Sequence, residues 1–385
     1  MTKPAARPSA KPSASPLAQP IEFPASDRFQ LGGHRWVHEH PDAPVVVMNA
    51  ATSVVSRYYA RFAAYLHNHG FHVITYDYRG IGLSRPESLK NLQAGWLDWG
   101  ELDFEGALIY ASQQFPKSDI LAVGHSVGGV LVGLAPSNHL LTRVFTMGAQ
   151  HAYWPDYLGS QRWAMRLRWH VMMPALTQLF GYFPGKRLGW LEDTPAGVVR
   201  DWVAPAPDFV NTYLDSGNFR GSRQLTASQC NQLRQRFAQV RAPTLALSVT
   251  DDPYGTPAAI DRLLANFTQS PRSQLRLSPA DIAVDQIGHF GFFHSRFEQS
   301  LWPIALHWLQ TGQMLDPRDD SHANKPRANP QAREQIASGL KPVGQALERD
   351  DLKLIPRSDA RETNNPQPDW AYAVKQLRAP DQYRA

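Results

Sequence analysis

The chain has 385 residues, 43% hydrophobic and 11% aromatic, with a single cysteine. That is enough apolar material for a sizeable core, and Cys230 alone excludes a disulfide scaffold, a zinc ribbon or a CxxC redox site. The net charge of +5 sits at the ends: residues 1–20 carry Lys3, Arg7 and Lys11 and no acid, residues 318–385 carry 12 basic and 10 acidic residues, and 21–317 carry 24 of each. Without clustered Lys and Arg in the centre, no nucleic-acid partner is expected. No apolar run reaches about 18 residues free of charge, histidine or proline, so no transmembrane segment is expected. Residues 1–20 lack the apolar stretch of a secretory signal, and the expected location is therefore cytoplasmic.

Residues 1–20, rich in Pro, Ala and Ser, read as a disordered tail. Residues 28–40 read as a small hairpin turning at Gly32–Gly33. The compact apolar run 44–50 predicts a buried strand. Tyr58, Phe62, Ala63 and Leu66 have helical spacing within 57–69, and Gly70 suits the stop. Further strands are predicted at 71–80, 119–124, 143–149, 242–249 and 273–278, with helices at 100–115, after Gly124, and at 297–311. Apolar strands alternating with helices predict a mostly parallel sheet covered on both faces.

Residues 150–230 differ in character, with Trp154, Trp163, Trp169, Trp190 and Trp202 and a helical apolar pattern over 163–183. They read as a helical lid insertion over the carboxyl edge of the sheet, where such sheets bind ligands. After Pro317 the composition turns to Asp, Asn, Arg, Pro and Gln, and 318–385 read as a loosely ordered extension. The expected organisation is thus tail 1–20, catalytic domain 21–317 with its insertion, and extension 318–385.

Gly124-His125-Ser126-Val127-Gly128 is a G-x-S-x-G pattern that ends a predicted strand and opens a helix. A serine on such a turn occupies a strained backbone and needs small neighbours, and the helix behind it favours developing negative charge. The hydroxyl needs a base. His289, between Gly288 and Phe290-Gly291, follows the last strand, and Asp251-Asp252-Pro253 follows the strand before it. The order Ser, Asp, His gives Ser126, Asp252 and His289 as catalytic residues, with Asp251 the alternative acid. His294 competes for the base but falls on the next helix. His125 is expected to point away from the site and to pack or orient the turn.

These motifs, with Asp77-Tyr78-Arg79-Gly80-Ile81-Gly82-Leu83-Ser84, resemble the α/β-hydrolase fold superfamily, in the serine-aminopeptidase/monoacylglycerol-lipase-like branch, over about 21–317. The resemblance implies an α/β-hydrolase fold and a serine hydrolase. Many relatives carry His-Gly after the first parallel strand, where this chain has Met48-Asn49-Ala50-Ala51-Thr52. The oxyanion donors expected are the N–H groups of Ala51 and Val127, with Ala50 the alternative. Arg79 reads mainly as a tie between loops. His34, His38 and His40 alternate along a strand without a ligand pattern, so neither a metal nor a cofactor is expected.

The expected activity is cleavage of a small-molecule carboxylic ester or thioester bearing an apolar group, through an acyl-enzyme. The same triad could act on an amide or peptide, or transfer the acyl group to an alcohol. A non-catalytic binding protein on this scaffold would show a lost triad member, and none is missing.

Overall fold

A computed structural model describes residues 18–157, 166–215 and 221–318. Within it the apolar runs become strands β1 (Gln19–Pro24), β2 (Gln30–Trp36), β3 (Val45–Asn49), β4 (His72–Tyr76), β5 (Ile120–His125) and β6 (Leu141–Met147). A short antiparallel ribbon, β7 (Tyr182–Phe183) with β8 (Thr194–Pro195), precedes β9 (Thr244–Val249) and β10 (Arg272–Leu277). The main sheet has the order β1-β2-β4-β3-β5-β6-β9-β10. Only the pairs β1–β2 and β2–β4 are antiparallel. Every residue of β3, β4, β5 and β9 is buried, as an unbroken aliphatic pattern demands of strands covered on both faces. β10 is an edge, and its Arg272 and Gln274 lie exposed, a device that discourages pairing with another chain.

Two expectations need correction. Gly32 and Gly33 do not turn a hairpin but lie inside β2, and the turn falls between β1 and β2 instead. The reason is close approach rather than flexibility: a Cβ on Gly33 would stand 2.2 Å from the Thr75 carbonyl oxygen of β4. The tail is also shorter than expected, since Gln19 and Pro20 already pair with Arg35 and His34. Residues 1–17 and 319–385 lie outside the described residues, as does Trp163.

The helix predicted after β3 runs Ala60–Asn68 behind a 3-10 turn, Ser56–Tyr59, with Phe62, Ala63 and Leu66 buried. The helix predicted at 100–115 starts earlier, at Trp96, widens into a π turn over Trp99–Phe104 and continues as Glu105–Gln114. The last helix is shorter than predicted, Trp302–Thr311, because Pro303 lacks the N–H that a longer helix would require of it. Its Trp308 donates from Nε1 to the Val144 carbonyl at 2.8 Å, fixing the helix to β6.

The segment between β6 and β9 carries the helices Met173–Phe180, Ala196–Val203 and Ala227–Ala238. Asp201, fully buried, accepts from the backbone N–H of Trp96 and Ser222 and from the Ser222 hydroxyl. Burial pushes its carboxyl up to about 6.

Arg79 ties three segments together. Its backbone N–H and Nε donate to Asp103 on the π turn at 2.9 and 2.7 Å, and its terminal nitrogens reach Asp27 at 2.8 Å. Asp103 is fully buried, so its charge depends on this partner. Arg79→Met is therefore expected to cost roughly 3–5 kcal/mol, because it strands a buried carboxylate. Urea unfolding measures the loss. Turnover at saturating substrate, below the unfolding range, should change little if Arg79 only braces loops.

Candidate active site

Because β3, β5, β6, β9 and β10 are parallel, the loops that follow them open on one edge of the sheet. Ser126 sits between β5 and the helix Val127–Leu134, with φ 54° and ψ −121°. Such a conformation strains any residue with a Cβ and persists only when its surroundings enforce it. Here the Ser126 N–H donates to the Met147 carbonyl at 3.0 Å, and the Ser126 carbonyl accepts from Gly129 N–H at 3.1 Å. A Cβ at Gly128 would lie 2.3 Å from the Asn49 carbonyl oxygen, and one at Gly124 would lie 2.6 Å from Gly129 N. Both glycines of the motif are therefore required by contact.

Asp252 is fully buried and its Oδ2 lies 2.7 Å from His289 Nδ1. Its Oδ1 accepts from the Tyr254 N–H at 2.8 Å, which fixes the carboxylate plane. Asp251 has a different job: its Oδ2 accepts from the N–H groups of Ile287 and Gly288 at 2.8 and 3.0 Å and so anchors the turn that presents His289. His294 lies apart from this pair, and its Nδ1 accepts from the Arg296 N–H. Gly148, following β6, has φ 56°, and a Cβ there would stand 2.9 Å from Asp252 Oδ2 and 3.1 Å from His289 Nδ1. The serine elbow, which bonds to Met147, therefore lies one residue from the Asp252–His289 pair.

Val127 N–H opens the helix behind Ser126. Ala51, expected as the upstream donor, gives its N–H to the Tyr59 hydroxyl at 2.8 Å. The Ala50 carbonyl accepts from the Tyr78 hydroxyl at 3.0 Å. Asn49 stands where relatives were expected to differ. Its Nδ2 donates to the Gly128 carbonyl at 3.2 Å and its Oδ1 accepts from Tyr76 at 2.7 Å, bracing the elbow from β3. The sequence reading passed over Asn49, although a polar residue closing a buried aliphatic strand is a signal in itself.

Aromatic rings run from the segment after β6 to the imidazole. Trp202 and Trp169 are 5.6 Å apart, Trp169 and Tyr254 5.4 Å, and Tyr254 meets His289 edge to face at 5.1 Å. Trp154 packs against His170, and Trp190 against Phe183 in the same apolar cluster as Trp169 and Trp202.

Parallel strands, a strained serine between β5 and a helix, and a buried Asp–His pair beyond β9 and β10 define an α/β-hydrolase fold. The model of the serine aminopeptidase, S33 family matches residues 39–280, well over half of the chain, and the chain belongs to that family. The matched stretch includes Ser126 and Asp252 and stops short of His289. The protein is a serine hydrolase of this fold. No curated protein matches the sequence. Similar solved structures include an esterase of Pyrococcus furiosus, 13% identical with a TM-score of 0.48, covering 76% of this chain and 90% of that one. A 2,6-dihydroxy-pseudo-oxynicotine hydrolase is 14% identical with a TM-score of 0.48, covering 79% and 71%. A thioesterase domain from the curacin biosynthetic pathway is 16% identical with a TM-score of 0.43, covering 77% and 100%. Among the described residues, no helix is long and apolar enough to cross a membrane.

His151, three residues beyond Gly148, is buried with its Nε2 donating to the Ala206 carbonyl at 3.3 Å. Burial pulls its imidazole down from 6.5 to about 4. The unfolded chain thus takes up this proton more readily than the folded one. The stabilisation is complete above pH 6.5 and is lost as pH falls toward 4, by roughly 3 kcal/mol at the lower end. Urea midpoints of the wild type should fall across that window, and its difference from His151→Phe should shift against the wild type by a comparable amount.

Proposed function

We propose that Ser126, His289 and Asp252 are the catalytic triad of a hydrolase that cleaves a carboxylic ester or thioester bearing an apolar group. The observation that carries this reading is the buried 2.7 Å contact between Asp252 and His289, packed on Gly148, whose neighbour Met147 accepts the N–H of a serine held at φ 54°. The Ser126 hydroxyl attacks the acyl carbonyl while His289 Nε2 takes its proton. Asp252 holds Nδ1–H and stabilises the imidazolium. The tetrahedral oxyanion accepts from Val127 N–H and from Ala50 N–H, because Tyr59 already holds the N–H of Ala51. Collapse expels the alcohol or thiol, protonated by His289. Water, deprotonated by the same imidazole, then frees the acid and restores Ser126.

The segment 150–230 acts as a lid in this reading, and Trp169 and Tyr254 give it an apolar wall beside the base. A wall of that kind favours an apolar acyl or alcohol group and excludes water from the imidazole. An amide or peptide bond is the second reading, and the family description supports it. An aminopeptidase needs a carboxylate for the substrate's α-ammonium group. Asp252 is engaged with the imidazole and the Tyr254 N–H, and Asp251 Oδ2 with the N–H groups of Ile287 and Gly288, which favours the ester.

Fluorophosphonate labelling, with mass mapping of the labelled peptide, tests the triad. Wild type should be labelled at Ser126, and Ser126→Ala should not. On a short-chain p-nitrophenyl ester, Asp252→Asn and His289→Ala should lower kcat by roughly 10³–10⁴-fold. Asp251→Asn should cost far less, and equal losses at the two aspartates would defeat the assignment of the acid. Ester, thioester and amide panels then rank the substrates.

A further inference from the structure

His125 lies in the core with no exposed surface and, contrary to expectation, packs its ring 5.0 Å from that of His289. Its Nδ1 lies 2.8 Å from the Tyr59 hydroxyl, and its Nε2 lies 2.9 Å from the backbone carbonyl of His289. The Tyr59 oxygen in turn meets the N–H of Ala51 at 2.8 Å. The two ends of this chain of bonds fix every proton in it. A carbonyl can only accept, so His125 carries its proton on Nε2 and leaves Nδ1 as an acceptor. Tyr59 must then donate its O–H to Nδ1, which leaves its lone pairs for Ala51 N–H. This assignment holds for a neutral His125, the form that burial favours by keeping the imidazole well below its ordinary range.

Neighbouring contacts reinforce the same link. Tyr58, on the same 3-10 turn, donates its hydroxyl to the Phe290 carbonyl at 2.7 Å. Phe293 packs on Tyr59 at 4.8 Å and on His125 at 5.0 Å. One turn, Ser56–Tyr59, therefore grips two successive carbonyls at the base, one directly and one through His125. It also grips the loop after β3.

We infer that Tyr59 and His125 are positioning residues that set the Ala50–Ala51 loop and the backbone of His289 as one unit relative to Ser126. The inference rests on the triad reading above. The His125 ring also lies 5.0 Å from that of His289, so it holds the base by its ring as well as by its backbone carbonyl. Tyr59 and His125 fix the distance over which the proton leaves Ser126 and the place where the oxyanion forms, so they act on the acylation rate rather than on binding. Misplacement of reacting groups by about an ångström costs on the order of a hundredfold in rate.

The test is the rate of labelling of the full chain by an alkyl fluorophosphonate, measured against probe concentration, with thermal melting as the check on folding. Y59F keeps the ring in its aromatic box and removes only the hydroxyl. It is expected to melt close to wild type and to be labelled at saturating probe about ten- to a hundredfold more slowly, with the half-saturating concentration within about threefold. H125L is expected to do the same. H125Q, whose side-chain amide N–H replaces Nε2–H opposite the His289 carbonyl, is expected to recover most of the rate. Wild-type labelling by folded Y59F overturns the inference, whether or not H125L folds. Equal losses in H125Q and H125L also overturn it, because they mark packing alone. Labelling retained by S126A would instead overturn the triad reading, and this inference with it.

Discussion

A side-chain-bearing residue fixed at a positive φ is the constraint on which the rest of the site depends. Ser126 cannot relax, because three separate elements hold it. β6 takes its N–H, its own helix takes its carbonyl, and β3 sits so close that Gly128 has no room for a side chain. Asn49 then closes the gap by bonding to Gly128. The strain in the backbone is of order 1–3 kcal/mol, small against the burial of five central strands. The sheet can hold it because its interior is close-packed and does not yield locally.

The second element of the site is electrostatic. Asp252 has no exposed surface, bonds to an imidazole and accepts from a backbone N–H, and the Tyr254 ring packs edge to face on that imidazole. In such surroundings an ion pair or a charge-assisted hydrogen bond is stronger than the same contact in water, and its loss is correspondingly expensive. Asp251 lies next in sequence yet works on the backbone of the turn rather than on the ring. Two adjacent acids thus divide the task of holding one histidine: one sets where the turn lies, the other which way the imidazole faces.

Much of this was legible in the residues alone. Aliphatic runs at β3, β5, β6 and β9 announced buried parallel strands, and a G-x-S-x-G placed between strand and helix announced the elbow. The order of Ser126, the paired aspartates and His289 was readable because each follows a strand. Gly32–Gly33 misled, since a glycine pair that signals a turn looks the same as one that admits a neighbouring strand. The hydroxyl on Ala51 N–H could not be foreseen either. Tyr59 has the spacing of an ordinary buried helix residue, and its partners on β5 and beyond β10 are far away in sequence. Gly148 was missed for a related reason: its significance lies in what approaches it.

The bridge through Tyr59 and His125 joins positions that are 66 and then 164 residues apart along the chain. Non-local contacts of this kind close large loops, and the entropy of closing them must be overcome before any contact energy is recovered. The catalytic constellation therefore has no local precursor. In the triad reading it is complete only when the residues that follow β9 and β10 bring Asp252 and His289 beside the elbow. A nascent chain that has completed the serine motif is still without His289, and in the triad reading reactivity arrives with topology rather than with the nucleophile.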